Sequence, residues 1–324
     1  MAASIREIND VPYYTADTGI GDPLKTLDLY VPEALFNPRT RSKSRVVLLV
    51  LVHGGAWRTG DKSKHVGTAR RWAAPSPSLS TSRPEKDEDG TFIIVAVPNY
   101  RLSPAVKHPV HTDDIYATLQ FLLARPYLPG GDPQISLEYS SIWIAGHSAG
   151  AHIAASLVLD APNLTTFPAS ERDHSVLGRI TGVVGIEGIY DIDLLLKSFP
   201  SDFYRGFVEQ AFGTRSQADS GTEIRVERLP YGDVNAAEYI LPPSGTAGSL
   251  NWTIIHSRED DLVDLVQAEC MYSHLCHLYG EEEHSERMGP GTRVVLEDKR
   301  VCGGHDEVLE SEELTAFVHE TVLR

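Results

Sequence analysis

The chain has 324 residues, of which 41% are hydrophobic and 23% are charged. This length and composition are typical of a globular protein that can bury a large core, and we predict one large α/β domain. The formal charge of −16 at neutral pH disfavours nucleic acid and anionic membrane surfaces as partners, because both would be repelled.

The cysteines and the first residues bear on the cellular compartment. Cys270, Cys276 and Cys302 are too few and too scattered for a disulfide framework, and no C-x-x-C pair suggests structural zinc. The opening sequence MAASIREINDVPYY has no apolar stretch of the kind found in signal peptides, and no segment is long enough to span a bilayer. We therefore expect a cytoplasmic protein with free thiols and no membrane partner.

Apolar runs of strand length alternate along the chain with segments of helical period. The strand candidates are 26–32, which alternates like an edge strand, and the runs 45–55, 91–102, 141–150, 180–191, 250–260 and 292–306. The helix candidates between and after them are 111–127, 152–160, 264–280 and 309–324. This alternation predicts a mostly parallel central sheet with helices on both faces.

Two stretches interrupt the alternation. Residues 73–90 are rich in proline, serine and charge and contain almost no core-forming side chain, so we predict a mobile surface insertion. Residues 192–249 are irregular, with aromatic side chains and short amphipathic pieces. In a sheet enzyme such an excursion usually forms a cap over the site, and we predict that role here.

A serine lies at the predicted junction of a strand and a helix. Gly146 to Gly150 read Gly-His-Ser-Ala-Gly and fit the G-x-S-x-G nucleophile elbow, in which glycines flank the serine because the turn leaves no room for Cβ atoms. The preceding strand and following helix are the context that this motif requires. Ser148 is therefore the predicted nucleophile, and the alternative is a tight turn with a capping serine.

A serine nucleophile needs a base, and the base needs an orienting acid. In this kind of fold the chain order is serine, acid, histidine. Asp260 and Asp261 follow one predicted strand, and His305 lies on a Gly-Gly loop after the next. We predict His305 as the base and Asp260 as the acid, with Asp261 as the alternative acid.

The stretch VHGGAW at 52–57 is the candidate oxyanion hole. In a glycine-rich turn after a central strand, the backbone N–H groups of Gly55 and Ala56 can point at one spot. The N–H of Ala149, directly after the nucleophile, would join them. A plain turn is the alternative interpretation.

Together these segments resemble a known family. HGGAW, PNYRLSP, GHSAGAHIAA, HSREDDLVD and GGHDEV resemble the HGG-type branch of the α/β-hydrolase superfamily, and more specifically the kynurenine formamidase family. The stretch 188–213 is similar to the fungal form of that family. The resemblance implies a triad of Ser148, Asp260 and His305. The insertion at 73–90 is a departure from the family pattern.

The reaction implied by the resemblance is the hydrolysis of N-formyl-L-kynurenine to L-kynurenine and formate in tryptophan degradation. It requires no cofactor and no metal. The formyl side of the pocket should be narrow and the aromatic leaving side wide, and the candidate walls of that wide side are Trp57, Tyr190, Phe203 and Tyr204.

Two other functions stay open on the sequence. One is a carboxylesterase of the same branch that acts on short acyl or feruloyl esters, because fold and triad do not fix the substrate. The other is a catalytically inactive hydrolase scaffold that serves as a binding protein. The sequence also leaves open whether the chain forms a homodimer.

Overall fold

The computed structural model describes residues 4–14, 22–75, 90–124, 138–161, 174–215, 230–242, 250–280 and 294–323. The predicted insertion at 73–90 lies almost wholly outside these ranges. The predicted cap segment is described only in part, and its role as a cap stays a prediction.

The described strands form one eight-stranded sheet. They are β1 Ile5–Pro12, β2 Thr26–Pro32, β3 Arg45–Val52, β4 Thr91–Pro98, β5 Ser141–His147, β6 Ile180–Ile186, β7 Asn251–Ile255 and β8 Val294–Glu297. Their order in the sheet is β1-β2-β4-β3-β5-β6-β7-β8. The pairs β1–β2 and β2–β4 are antiparallel, and all the other pairs are parallel. Every strand predicted from an apolar run is therefore present.

The prediction that 26–32 is the edge strand is wrong. β2 lies between β1 and β4, and the sequence analysis missed β1, which is the real edge. The alternation in β2 was misleading because Asp28 is not solvated: its carboxylate is buried and lies 2.7 Å from the ammonium of Lys62. A charge that is neutralised in this way can occupy a strand with neighbours on both sides.

Nine α-helices lie in the described part of the chain. They are α1 Pro38–Arg41, α2 Val66–Ala73, α3 Val110–Ala124, α4 Ala149–Val158, α5 His174–Leu177, α6 Ile192–Ser198, α7 Asp202–Phe212, α8 Leu265–Tyr279 and α9 Glu312–Val322. The four helices predicted from periodicity correspond to α3, α4, α8 and α9. None of the described helices is both long and apolar enough to cross a membrane.

The central strands are buried on both faces, which explains their continuous apolar sequence. Along β3, Leu48 and Val50 face a core shared with α3, α4 and α8, whereas Val47 and Leu49 face a core shared with α2 and α9. Helices therefore cover both faces of the sheet, as predicted.

Because β3 and β5 to β8 are parallel, their carboxyl ends meet at one edge of the sheet. The loops after these strands carry all the predicted catalytic side chains. Ligands of open α/β sheets bind outside these ends of the strands.

Candidate active site

Ser148 occupies the sharp turn between β5 and α4. Its backbone φ is +55°, in the left-handed region that disfavours residues with a side chain, and its N–H donates to the carbonyl of Ile186 at 2.8 Å. A Cβ atom on Gly150 would lie 2.2 Å from the carbonyl oxygen of Val52, on the neighbouring strand β3. Glycine is required there because the first turn of α4 passes directly against that strand.

The structure brings Asp260 and His305 together. The Nδ1 atom of His305 lies 2.7 Å from Oδ2 of Asp260, whose side chain is fully buried. The other oxygen of Asp260 accepts hydrogen bonds from the backbone N–H groups of Leu262 and Val263 at 2.8 and 3.0 Å. Asp261, the alternative acid, is exposed. The geometry favours Asp260 as the partner of His305.

The hydrogen bonds at Asp260 outweigh its burial. Burial alone would raise the pKa of this carboxyl, but its hydrogen bonds with His305 and Glu187 hold the pKa well below the usual range. Asp260 is therefore ionised at neutral pH. An ionised acid can orient the imidazole of His305 and stabilise a positive charge that forms on it.

His147, inside the elbow, holds the loop that carries His305. Burial lowers the pKa of His147 to about 4, so its ring is neutral, and Nε2 lies 2.9 Å from the carbonyl oxygen of His305. The two rings are 4.8 Å apart between centroids. His305 is thereby held against the residue that precedes Ser148 in the chain. Within the described residues no hydrogen bond joins the Ser148 hydroxyl to His305, and such bonds commonly tighten only when substrate is bound.

The HGG turn packs against the nucleophile. A Cβ atom on Gly54 would lie 2.9 Å from Cβ of Ser148. Gly55 and Ala56 have φ values of +105° and +52°, which turn their N–H groups away from the strand path. In the described part of the chain, the N–H groups of Gly55, Ala56 and Ala149 have no hydrogen-bond acceptor. Unpaired backbone donors on a turn that packs against a serine are what an oxyanion hole requires.

The turn is supported by the PNYRLSP segment, whose role the sequence analysis did not assign. The hydroxyl of Tyr100 donates to the carbonyl of His53 at 3.0 Å, and the two rings stack with centroids 4.3 Å apart. Next to it, Arg101 forms an ion pair of 2.6 Å with the fully buried Asp114 of α3. These contacts fix the backbone of the turn that carries the predicted oxyanion donors.

Two of the four predicted substrate-binding aromatics are packed in the core. Trp57 is fully buried, with its ring edge-on to His152 and Phe212 at 5.3 and 4.9 Å. Tyr190 is 1% exposed, and its backbone N–H donates to Gln267 at 2.8 Å. Neither ring presents a free surface to a ligand in this structure. The sequence shows only that Trp57 and Tyr190 follow strands β3 and β6, and this position does not indicate whether their rings are buried.

The other two aromatics lie on α7 at the surface. Phe203 is 62% exposed, and the guanidinium of Arg58 lies 5.1 Å from the centre of its ring. The hydroxyl of the half-buried Tyr204 donates to the carbonyl of Leu262 at 2.8 Å. The first turn of α7 thus contacts both Arg58, which directly follows the HGG turn, and the loop that carries Asp260.

Glu187 is a site residue that the sequence analysis missed. It directly follows β6, is fully buried and has a φ of +49°. Its Oε1 accepts from the N–H of Ser257 at 2.8 Å. Burial, reinforced by the charge of Asp260, raises the pKa of Glu187 to about 10. The available signal was a single carboxyl in the otherwise uncharged run ITGVVGIEGIY, at the end of the strand beside the nucleophile.

Two groups of side chains could offer ligand atoms to a metal ion, and within each group these atoms lie within 4.8 Å of one another. The groups are His147, His305 and Asp306, and Glu187, His256 and Asp260. In each group an imidazole nitrogen already forms a hydrogen bond with protein. His147 bonds to the His305 carbonyl, and Asp260 bonds to His305. We therefore interpret both groups as hydrogen-bonded networks.

The BD-FAE family matches residues 27–275, which include the HGG turn, the elbow and the acid loop. The chain belongs to the BD-FAE family.

Fungal kynurenine formamidases are among the proteins to which this chain is similar. That of Meyerozyma guilliermondii is 28% identical over 223 residues, which are 69% of each chain. That of Debaryomyces hansenii is 25% identical and covers 79% of this chain and 92% of its own. The isoprenylcysteine α-carbonyl methylesterase of Arabidopsis thaliana is 26% identical and covers 92% of this chain and 60% of its own.

Solved structures of esterases share the fold. Esterase B of Lactobacillus rhamnosis covers 98% of this chain and 85% of its own, with 17% identity and a TM-score of 0.61. The esterase of the archaeon Pyrobaculum calidifontis covers 98% of this chain and 82% of its own, with 16% identity and a TM-score of 0.57. The predicted α/β-hydrolase fold and the resemblance to fungal kynurenine formamidases are confirmed, and the chain is a hydrolase of this family.

Proposed function

We propose that the protein hydrolyses N-formyl-L-kynurenine to L-kynurenine and formate. The observation that carries the chemistry is a serine at a left-handed turn beside three unpaired backbone donors and an Asp260–His305 pair at 2.7 Å. The similarity to several fungal kynurenine formamidases supports the choice of substrate. An acyl transfer through a covalent intermediate on the serine fits both the geometry of the site and this similarity.

In the first half of the reaction, Oγ of Ser148 attacks the formyl carbon while Nε2 of His305 accepts its proton. The carbonyl oxygen becomes an oxyanion, which the N–H groups of Gly55, Ala56 and Ala149 can bind. Asp260 stabilises the imidazolium that forms. The C–N bond then breaks as His305 delivers its proton to the aniline nitrogen, and L-kynurenine leaves with a formyl group on Ser148.

In the second half, a water molecule repeats the attack on the formyl-enzyme. His305 accepts a proton from the water, and the same donors hold the second oxyanion. Collapse of this intermediate returns the proton to Oγ of Ser148 and releases formate. The enzyme is restored with no cofactor consumed.

The surface of α7 is the proposed binding region for the leaving group. Phe203 and Tyr204 offer aromatic faces beside the acid loop. Arg58 forms no ion pair with any described residue, and it lies two residues after the oxyanion turn. A guanidinium next to an exposed aromatic ring suits a substrate that combines an aryl group with a carboxylate. The amino-acid end of formylkynurenine has that carboxylate.

The deciding assay follows the absorbance of kynurenine when purified protein is mixed with N-formyl-L-kynurenine. We expect turnover by the parent protein and none above background for Ser148→Ala. Formate measured in the same samples should match kynurenine in amount. A parent protein that hydrolyses p-nitrophenyl acetate but not N-formyl-L-kynurenine would contradict the proposed substrate.

A carboxylesterase is the second candidate, favoured by the match to a plant methylesterase along 92% of the chain. Rates on N-formyl-L-kynurenine and on short acyl and feruloyl esters, compared as kcat/KM, distinguish the two. An inactive binding scaffold is disfavoured, because a binding protein has no need for the serine, the acid–histidine pair and the oxyanion donors together. Labelling of Ser148 by a fluorophosphonate would exclude the scaffold.

A further inference from the structure

The acid of the proposed triad is in contact with a second buried carboxyl group. Side-chain oxygens of Glu187 and Asp260 and a ring nitrogen of His256 all lie within 4.8 Å of one another. The side chains of all three residues are fully buried. Two carboxyl groups this close in a buried site cannot both be ionised without a large cost, so one of them keeps a proton.

The neighbouring contacts decide which carboxyl holds the proton. Both oxygens of Asp260 accept hydrogen bonds, from His305 on one side and from the backbone after Asp260 on the other. Oε1 of Glu187 accepts from Ser257, but its Oε2 has no donor among the described residues. The nearest ring nitrogen, Nε2 of His256 at 3.3 Å, has its hydrogen directed to the carbonyl of Val263 at 2.9 Å. The proton therefore belongs on Oε2 of Glu187, with Asp260 as its acceptor.

We propose that Glu187 is a positioning residue that acts as a neutral hydrogen-bond donor and holds the Asp260 carboxylate in the orientation that His305 requires. Glu187 touches no substrate and acts only through Asp260. Its backbone suits this role, because it directly follows β6 and its N–H donates to Ile255 at the end of β7, the strand that leads to Asp260. The left-handed φ of Glu187 is the kind of strain that persists where a functional contact requires it.

This role predicts which substitutions are tolerated. Glutamine at position 187 can accept from Ser257 through its oxygen and donate to Asp260 through its amide, so Glu187→Gln preserves both hydrogen bonds. Leucine preserves the size but neither bond. Without its donor, Asp260 is free to turn toward His256, whose Nε2 is already 3.6 Å from Oδ2 of Asp260. A role for Glu187 as an ionised base or metal ligand would be lost in the glutamine variant.

The inference rests on the proposed Ser148–His305–Asp260 relay, and its test uses p-nitrophenyl acetate so that it does not depend on the proposed substrate. We expect Glu187→Leu to lower kcat about 10- to 100-fold with little change in KM, which is the effect of losing one hydrogen bond to a charged group. Glu187→Gln should stay within about threefold of the parent, since an uncharged donor replaces an uncharged donor. The proton NMR signal of the hydrogen between Asp260 and His305 should persist in the glutamine variant and weaken or shift in the leucine variant.

The matched control is Gln267→Leu. Gln267 is also fully buried and also accepts backbone N–H groups after β6, those of Tyr190 and Asp191, but it makes no contact with Asp260. It should lose thermal stability and keep both kcat and the proton signal. If Glu187 had a purely structural role, Glu187→Leu would also lose thermal stability and keep both kcat and the proton signal.

Three outcomes would overturn the inference. They are parent-like turnover and an unshifted proton signal in Glu187→Leu, a loss of turnover in Glu187→Gln, and full activity in Asp260→Asn, which would remove the proposed relay as well. If the leucine variant does not fold, the glutamine variant still decides, because turnover below about a tenth of the parent value contradicts a neutral donor. Hydrolysis of the ester without hydrolysis of N-formyl-L-kynurenine would refute only the proposed substrate.

Discussion

At Ser148 the unfavourable φ of +55° is a property of the backbone, so removing the hydroxyl alone does not relieve it. Replacing the serine by glycine, which has no Cβ, does relieve it. We expect Ser148→Gly to be more stable than Ser148→Ala by about 1 kcal/mol, because a left-handed residue with a Cβ costs of order 1–3 kcal/mol. Melting curves of the two inactive variants measure the difference. Ala151→Gly, in the helix directly after the turn, is the control and should instead lose stability.

A second residue-scale prediction separates the two neighbouring aspartates. Asp260→Asn should cut kcat by about 10⁴-fold while the protein stays folded, as loss of the orienting acid does in a comparable protease. Asp261→Asn should change kcat by less than about twofold, because a substitution on the exposed surface rarely has a large effect. Steady-state rates with p-nitrophenyl acetate and melting curves test both. Equal rates for the two variants would refute the assignment of Asp260.

At the scale of elements, the strands that the sequence predicted best are those that are buried. Strands β3 to β7 were predicted because a strand covered on both faces has a continuous apolar sequence. β1 was missed because an edge strand carries charges along its exposed side. The nucleophile and the histidine were predicted because their motifs are local in the chain. Glu187 was missed because its protonation depends on a contact with Asp260 across two strands, and no local pattern records it.

The position of α7 leads to a prediction about substrate binding. Arg58→Gln should raise KM for N-formyl-L-kynurenine about tenfold with kcat little changed, since it removes a charged hydrogen bond made equally in ground and transition states. Formanilide, which lacks the carboxylate, should be hydrolysed equally by parent and variant. Arg205→Gln, at an exposed position on α7, is the control for a general loss of positive charge. A similar rise in KM for both substrates would contradict a carboxylate contact at Arg58.

At the scale of the whole molecule, burial lowers the pKa of eight histidines in the described part of the chain. Burial lowers the pKa of five of them from 6.5 to between about 3 and about 4: His53, His65, His111, His147 and His152. Three more have a lowered pKa through burial: His256, His274 and His319. Glu187 is shifted the opposite way, and so are three more carboxyls whose pKa burial raises: Asp191, Asp193 and Glu238. The histidines outnumber these carboxyls.

These pKa shifts predict a loss of stability in mild acid. A histidine whose pKa is lower in the folded chain binds a proton first in the unfolded chain, so the free energy of unfolding falls as the pH drops below 6.5. Each such group contributes a slope of up to about 1.4 kcal/mol per pH unit between its unfolded and folded pKa. The carboxyls with raised pKa oppose this change only in part, because they are fewer. We expect Tm to be highest near pH 7, to decline between about pH 7 and 8, because folded Glu187 keeps a proton that the unfolded chain has lost, and to fall steeply between about pH 6 and 5. His111→Gln should make the fall shallower, whereas His277→Gln, at an exposed position on α8, should leave it unchanged. A Tm that is the same at about pH 7.5 and 5.5 would mean that the buried imidazoles gain protons without unfolding the protein.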